Sequence, residues 1–378
     1  MTWVPKGLDE LGSVSRGRSR HRPRDAAHLY GGPHPFIQTG DVKHAGLYIT
    51  GFTQTYTEAG LQQSKLWPAG TLCITIAANI ADTAILGIDA CFPDSVIGFI
   101  ADPTQSDARF VKYLFDATIK VRAQQFSQGA TQDNLSQEKL LSLDFDVPPV
   151  AEQTRIADVL ATYDALIDNN RRRMALLEDS ARLLYREWFV RLRFPGYEHT
   201  PIVDGVPQGW ERARLEDALV LQRGFDLPTQ DRQEGNVPIY GSTGVLGYHD
   251  KAKATAPGVV TGRSGTLGQV QYVAEDYWPL NTALWVKEFR RVTPLFALFL
   301  LREMDLKQFN GGASVPTLDR KSVHRVEILI PSSLLLRSFD DFAVDVFAQI
   351  KSLNTQNQKL RAARDLLLPR LMSGEVAV

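Results

Sequence analysis

The sequence predicts an α+β protein in which two related globular units are each followed by a long helix, the two helices pairing antiparallel. Three observations predict it. The stretch "GATQDNLSQEKLLSLDFDVP" at 129–148 returns as "GASVPTLDRKSVHRVEILIP" at 312–331. After each copy, apolar residues advance in alternating steps of four and three, which is the seam of a coiled coil. Before each copy stand short β-type runs punctuated by turn residues.

An internal repeat constrains the fold before any local pattern does. At an offset of 183, Gly129, Ala130, Leu135 and Pro148 fall on Gly312, Ala313, Leu318 and Pro331. The register runs on through Asp158, Ala165, Ile167, Leu177 and Leu184, which meet Asp341, Ala348, Ile350, Leu360 and Leu367. Upstream, "WVPKGLDELGSVSRG" at Trp3 aligns with "WERARLEDALVLQRG" at Trp210, an offset of 207. "TIAANIADTAI" at Thr75 aligns more weakly with "GRSGTLGQVQY" at Gly262, an offset of 187. The falling offset gives the first copy 24 more residues, placed before Gly129. Length variation inside a repeated unit reads as loops on a shared scaffold.

Within the first globular unit, 1–150, "TLCITIA" and "VIGFI" read as strands and "ARFVKYLFDATIKVRAQQF" as a helix near its end. A long helix follows at 151–194, opened by Pro148 and Pro149. Its seam is Ile156, Leu160, Tyr163, Ile167, Asn170, Met174, Leu177, Ala181, Leu184 and Trp188. Arg171, Arg172 and Arg173 then fall on its outer face. The second unit, 195–332, begins with a Pro/Gly-rich linker at 195–209. It carries "GVVTG", "QVQYV" and "TALWVKEF" as strands and "PLFALFLLREMDLKQF" as its helix. The second long helix, 333–378, has the seam Phe339, Ala343, Val346, Ile350, Leu353, Asn357, Leu360, Arg364, Leu367 and Leu371. Arg364 interrupts that seam, and Pro369 should kink or end the helix. Asn170 and Asn357 could fix register as buried amides, or simply mark a solvated stretch.

Composition excludes several classes of function. The longest apolar run, "LFALFLL" at 295–301, is too short to span a bilayer, and "MTWVPKGLDELG" lacks the pattern of a secretory signal. Cys73 and Cys91 cannot by themselves build a disulfide framework or a thiolate zinc site, so a reduced, cytoplasmic protein is expected. The seven histidines show no metal-ligand spacing. "GRSGTLG" and "GSTGVLG" lack the lysine ending of a P-loop and the context of a dinucleotide fold, and read as β-turns. No asparagine- or aspartate-Pro-Pro-aromatic segment of an amino-methyltransferase is present. No catalytic centre and no cofactor site emerge.

One charged run stands out. "RGRSRHRPR" places Arg16, Arg18, Arg20, Arg22 and Arg24 at alternate positions, as in a strand or extended loop facing phosphates or guanine edges. A solvated arm is the alternative. Net charge is −1, and neither unit is basic: residues 1–150 hold 13 basic and 15 acidic side chains, residues 195–332 hold 15 and 16. Nucleic-acid binding then rests on local arginines and polar groups, with a partner supplying much of the phosphate neutralisation. The polar loop residues nominated for DNA contact are those five arginines with Asn79 and Gln132 in the first unit, and Arg223, Ser242, Thr243, Arg263 and Asn310 in the second.

The segment "PPVAEQTRIADVLATYDALIDNNRRRMALLEDSARLLYREWF", with "VPQGWERARLEDAL", "LPRLMSGEV" and the paired "IAANIADTAI" and "RSGTLGQV", resembles the specificity subunit of type I restriction–modification systems. The resemblance covers essentially the whole chain, and the order of elements is its most diagnostic feature. It implies two target-recognition domains related by a pseudo-two-fold axis and separated by the antiparallel coiled coil. Each domain would read half of a split, asymmetric sequence in double-stranded DNA. It further implies two docked modification subunits that carry S-adenosylmethionine and methylate adenine, and restriction subunits in the full complex. The chain itself would be non-catalytic. The second helix departs from the pattern, opening on "IPSSLLLRSFDDF" without the "PPxxEQ" of Pro148 to Gln153. A self-contained DNA methyltransferase and a protein-binding adaptor are the competing readings.

Overall fold

The computed structural model describes residues 3–77, 80–120, 136–312 and 314–378. It divides into two compact units, Met1–Arg171 with Thr355–Val378, and Arg172–Asn354. Each long helix therefore contributes to both units, and the units are not delimited by the helix boundaries.

The first unit opens on strand Val4–Gly7, paired antiparallel with Asp144–Val147. A one-turn helix, Leu8–Leu11, follows; the Glu10 carboxylate accepts the Gly7 N–H at 2.7 Å and closes its first turn. The central sheet has five strands in the order Gly12–Arg16, Val96–Ala101, Leu72–Thr75, Thr83–Leu86 and Tyr48–Ile49. "LCIT" at 72–75 is buried on both faces because the sheet is covered on both. Leu72 and Ile74 pack with Phe110, Val111 and Leu114 of helix Ala108–Ala117, whereas Cys73 packs with Trp67, Phe92 and Val96 on the other side. Beside it lies a smaller sheet of Gln54–Tyr56, Tyr30–Phe36, Ala90–Cys91 and Leu66–Trp67. Cys73 and Cys91 are buried and unbonded to each other.

The second unit repeats this plan. Glu211–Arg214 pairs with Glu327–Ile330, and helix Leu215–Ala218 is closed by Asp217 accepting the Arg214 N–H at 3.0 Å. Its main sheet runs Leu219–Arg223, Ala283–Phe289, Gly258–Gly262, Val270–Val273, the same strand order as the first four strands of its counterpart. Val259, Leu284 and Val286 pack with Leu295, Phe296 and Phe299 of helix Pro294–Glu303. A three-stranded sheet of Gly244–His249, Val237–Gly241 and Trp278–Pro279 completes it. The first unit's extra length includes helix Thr39–His44 and the edge strand Tyr48–Ile49, neither of which has a counterpart among the described residues of the second. The linker folds into a short hairpin, Ile202–Val203 with Val206–Pro207, turned by Asp204 and Gly205 at positive φ.

The first long helix spans Val150–Tyr185 and ends in a π-helical turn, Arg186–Val190; the second spans Ser333–Met372. In each unit they pack antiparallel. In the first, the Asn170 amide donates to Asn357 Oδ1 at 3.0 Å, Asp164 pairs with Arg364, and Ile156 and Leu160 share a core with Leu371. In the second, Tyr185 and Phe189 lie 6.0 and 5.3 Å from the Phe339 ring, and Ala181 shares a core with Ala343 and Val346. Ile156, Leu160, Ile167, Asn170, Phe339, Val346, Leu353 and Asn357 are buried; Tyr163, Met174, Leu177, Leu184, Ile350, Leu360 and Leu367 are half-buried.

Two expectations about the second helix change. Arg364 does not break the packing, because it donates to Asp164, which is buried one position beyond Tyr163 and also accepts the Tyr113 hydroxyl at 2.6 Å. Pro369 sits in the last turn, and the helix runs on to Met372, since only the preceding turn loses a donor. Gly374, at φ +71°, ends it, with the Val376 N–H reaching back to the Arg370 carbonyl at 3.2 Å.

Candidate nucleic-acid interface

At the end of the same strand in both units stands an Arg-Gly pair, Arg16-Gly17 and Arg223-Gly224. Each glycine is wedged against a neighbouring loop. A Cβ on Gly17 would lie 2.2 Å from the Pro93 carbonyl oxygen, and one on Gly224 would lie 2.2 Å from that of Leu280. The hydrogen bonds around them repeat as well: Gly17 N–H to Val96 and Arg18 N–H to Phe92, Gly224 N–H to Ala283 and Phe225 N–H to Pro279. The backbone at each strand end is thereby fixed, and the preceding arginine leaves it at a defined place.

The loop that holds the glycine also steers the arginine. Arg16 donates through Nε and Nη2 to the Asp94 carbonyl at 3.0 and 2.7 Å, and Arg24 pairs with the Asp94 carboxylate at 2.8 Å. In the second unit Arg223 donates to Asp226 Oδ1 at 3.2 Å, and the Asn281 amide donates to the same oxygen. Asp94 and Asn281 are equivalent at the offset of 187. Neither was singled out from sequence; the alignment of the two copies was the signal that could have found them.

The arginine run is not one continuous strand. Its strand ends at Arg16, and the following loop is pinned by Gln63, whose Oε1 accepts the Arg20 and His21 N–H groups, and by Ser64, which donates to the Arg18 carbonyl. Arg22 folds back onto the Ser19 and His21 carbonyls at 2.8 Å each. Arg18 and Arg20 are exposed, and neither guanidinium has an ion-pair partner among the described residues. Asn79 and Gln132 lie outside the described residues.

In the second unit the nominated residues gather on adjoining loops. Arg263 donates to the Asn281 carbonyl at 3.2 Å, which joins it to the Arg223–Asp226 pair. The Ser242 carbonyl lies 2.9 Å from the position of a Cβ on Gly262, so the hairpin turn bearing Ser242 and Thr243 abuts the "GRSGTLG" loop. That loop is tied to the 310–318 segment through Gly265 N–H to Pro316 and Leu318 N–H to Arg263. Asn310 is a brace here, its Oδ1 accepting the N–H groups of Gly312 and Thr317 at 3.0 and 2.9 Å. The same hairpin exposes Val245, Leu246 and Tyr248, which periodicity alone did not reveal as surface residues.

Beneath this surface His324 fixes the strand that carries Arg223. Its Nε2 accepts the Leu221 N–H at 3.0 Å, and burial, reinforced by Arg320, holds its pKa below the ordinary histidine value. Among the described residues no group of three or more His, Cys, Asp or Glu could hold a metal ion, and no helix is long and apolar enough to cross a membrane.

Each of the two duplicated units thus presents polar loops beside the pair of long helices. Residues 1–179 match the family model for the type I restriction modification DNA specificity domain. The chain is similar to the type I restriction enzyme MjaIX specificity subunit of Methanocaldococcus jannaschii, 23% identical over 413 residues that span 100% of this chain and 94% of that one. The HindI specificity subunit of Haemophilus influenzae is 21% identical over 339 residues, 66% of this chain and 72% of that one. In fold it resembles the crystal structure of a type I restriction–modification S subunit from M. genitalium, with a TM-score of 0.60, 16% identity, and coverage of 98% and 96%.

Proposed function

We propose that residues 1–150 and 195–332 each read one half of a bipartite, asymmetric duplex target, and that the helices at 151–194 and 333–378 set the gap between the halves. The observation that supports this reading is the Arg-Gly strand end, which occurs once per unit with the same hydrogen bonds and with different surrounding side chains. Equivalent arginines suit equivalent phosphate or guanine contacts, while unlike loops suit unlike base sequences. Arg16, Arg18, Arg20, Arg24, Arg223, Ser242, Thr243 and Arg263 are the proposed DNA contacts. Asp94 and Asp226 position the two strand-end guanidiniums. Exposed Val245, Leu246 and Tyr248 suit apolar contact with thymine methyl groups.

The weak overall charge fits a chain that works within a complex. Two modification subunits would dock on the helix pair, carry S-adenosylmethionine and methylate adenine, and restriction subunits would join for cleavage. The test is footprinting with the modification partner present. Protection of two unlike half-sites about one helical turn apart, ~34 Å, is expected. Arg223→Gln should weaken protection of one half only. A single continuous footprint, or none, would contradict the proposal.

A further inference from the structure

The first unit contains a cleft of about 210 Å³, bounded by the segment after helix Thr39–His44, the helix Ala108–Ala117 and both long helices. Its charges do not cancel. Asp82 pairs with Lys120 at 2.8 Å, Asp116 with Lys112 at 2.5 Å, and Asp164 with Arg364. Asp116 and Asp164 are further occupied by the hydroxyls of Thr83 and Tyr113, and Asp168 is engaged as well. Every carboxylate lining the cleft is therefore committed. Two guanidiniums, Arg171 and Arg361, also line it and meet no carboxylate at ion-pair distance among the described residues. Arg171 is exposed, as expected of an outer-face residue, yet it borders this cleft.

These two positive charges oppose each other. Burial first, then Arg171 and Arg364, disfavour the charged form of Arg361, and arginine does not give up its proton in a protein. Asp365 opposes these effects only as the smallest contribution, so a further negative charge in the cleft would be favoured. Two planar guanidinium forks match a tetrahedral oxyanion, and a dianion offsets both charges where a carboxylate offsets one. The volume equals that of about seven water molecules, enough for a phosphate group with residual hydration and too little for a duplex.

We propose that Arg171 and Arg361 form a binding site for a phosphate dianion, either free phosphate or the terminal phosphate of a nucleotide. The site uses none of the nominated DNA contacts and needs no DNA. The test is thermal unfolding of the full chain in sodium phosphate against sodium acetate at equal ionic strength, with a nucleoside monophosphate as a third arm. Phosphate should raise Tm saturably beyond acetate; the monophosphate arm reports whether a nucleotide also fits. Arg171→Gln and Arg361→Gln should each weaken the phosphate effect roughly tenfold or more. Arg361→Gln should leave the phosphate-free Tm unchanged or raised, because it removes a repulsion. The exposed control Arg337→Gln should keep the full response. Equal shifts in phosphate and acetate would overturn the proposal. So would an Arg361→Gln protein with a lowered phosphate-free Tm and an undiminished phosphate response, since that is the signature of a purely structural arginine.

Discussion

Gly17 and Gly224 show what a single residue contributes. Neither needs a positive φ; each is glycine because a carbonyl oxygen occupies the space of its Cβ. Gly17→Ala and Gly224→Ala should each destabilise the unit concerned by roughly 1–3 kcal/mol, the range for overpacking a tight site, measured by urea unfolding. A neutral effect at either would show that the loop yields and does not fix the arginine. His324 gives a pH signature. Its folded pKa is lowered, so the unfolded chain binds the proton more readily, and stability is fully present above about pH 6.5 and falls as pH drops through that value toward the lowered one. His324→Gln should flatten that component of the Tm profile between pH 8 and 5.5; an unchanged profile would remove His324 from the account. The repeated "RG" was legible in the sequence, but its reason was not. Close approach of Pro93 and Leu280 is a tertiary fact that no local pattern encodes.

The long helices were legible as elements because a seam of steps of four and three persists over many turns. The chemistry inside the seam was harder to read. Tyr163 stands where a four-three count places it, but Asp164 is the buried residue, and that is why Arg364 reads as an interruption until its partner is known. The openings of the two helices differ for a physical reason. Gln153 is buried and donates to the Gln105 and Pro148 carbonyls while accepting the Asp107 N–H, whereas the second helix buries Leu335 and Leu336 and is capped by Ser332. Asn357 is buried and, among the described residues, is held by Asn170 and the Ile167 carbonyl. Asn170→Ala should therefore cost about 1–3 kcal/mol by stranding an amide, and the double change Asn170→Leu with Asn357→Leu should recover most of it. A neutral single variant in chemical denaturation would contradict a role for the pair in holding register.

Across the whole molecule, duplication was the most legible feature and the reading surface the least. Strand order, closing strand pair and helix positions repeat between the units, and the shift from 207 to 183 in alignment offset corresponds to added elements in the first. Contact residues were not legible to the same degree, because polar loop residues divide between reaching outward and bracing the fold. Arg18 and Arg20 are exposed with no ion-pair partner among the described residues, while Asn310 and Arg22 serve their own loops. If the helix pair is the spacer, its length is the quantity to change. Inserting one heptad at matched positions in both long helices adds about 10 Å. With the modification partner present, the preferred gap between protected half-sites should lengthen by about three base pairs. An unchanged gap, with both half-sites still bound, would contradict the account.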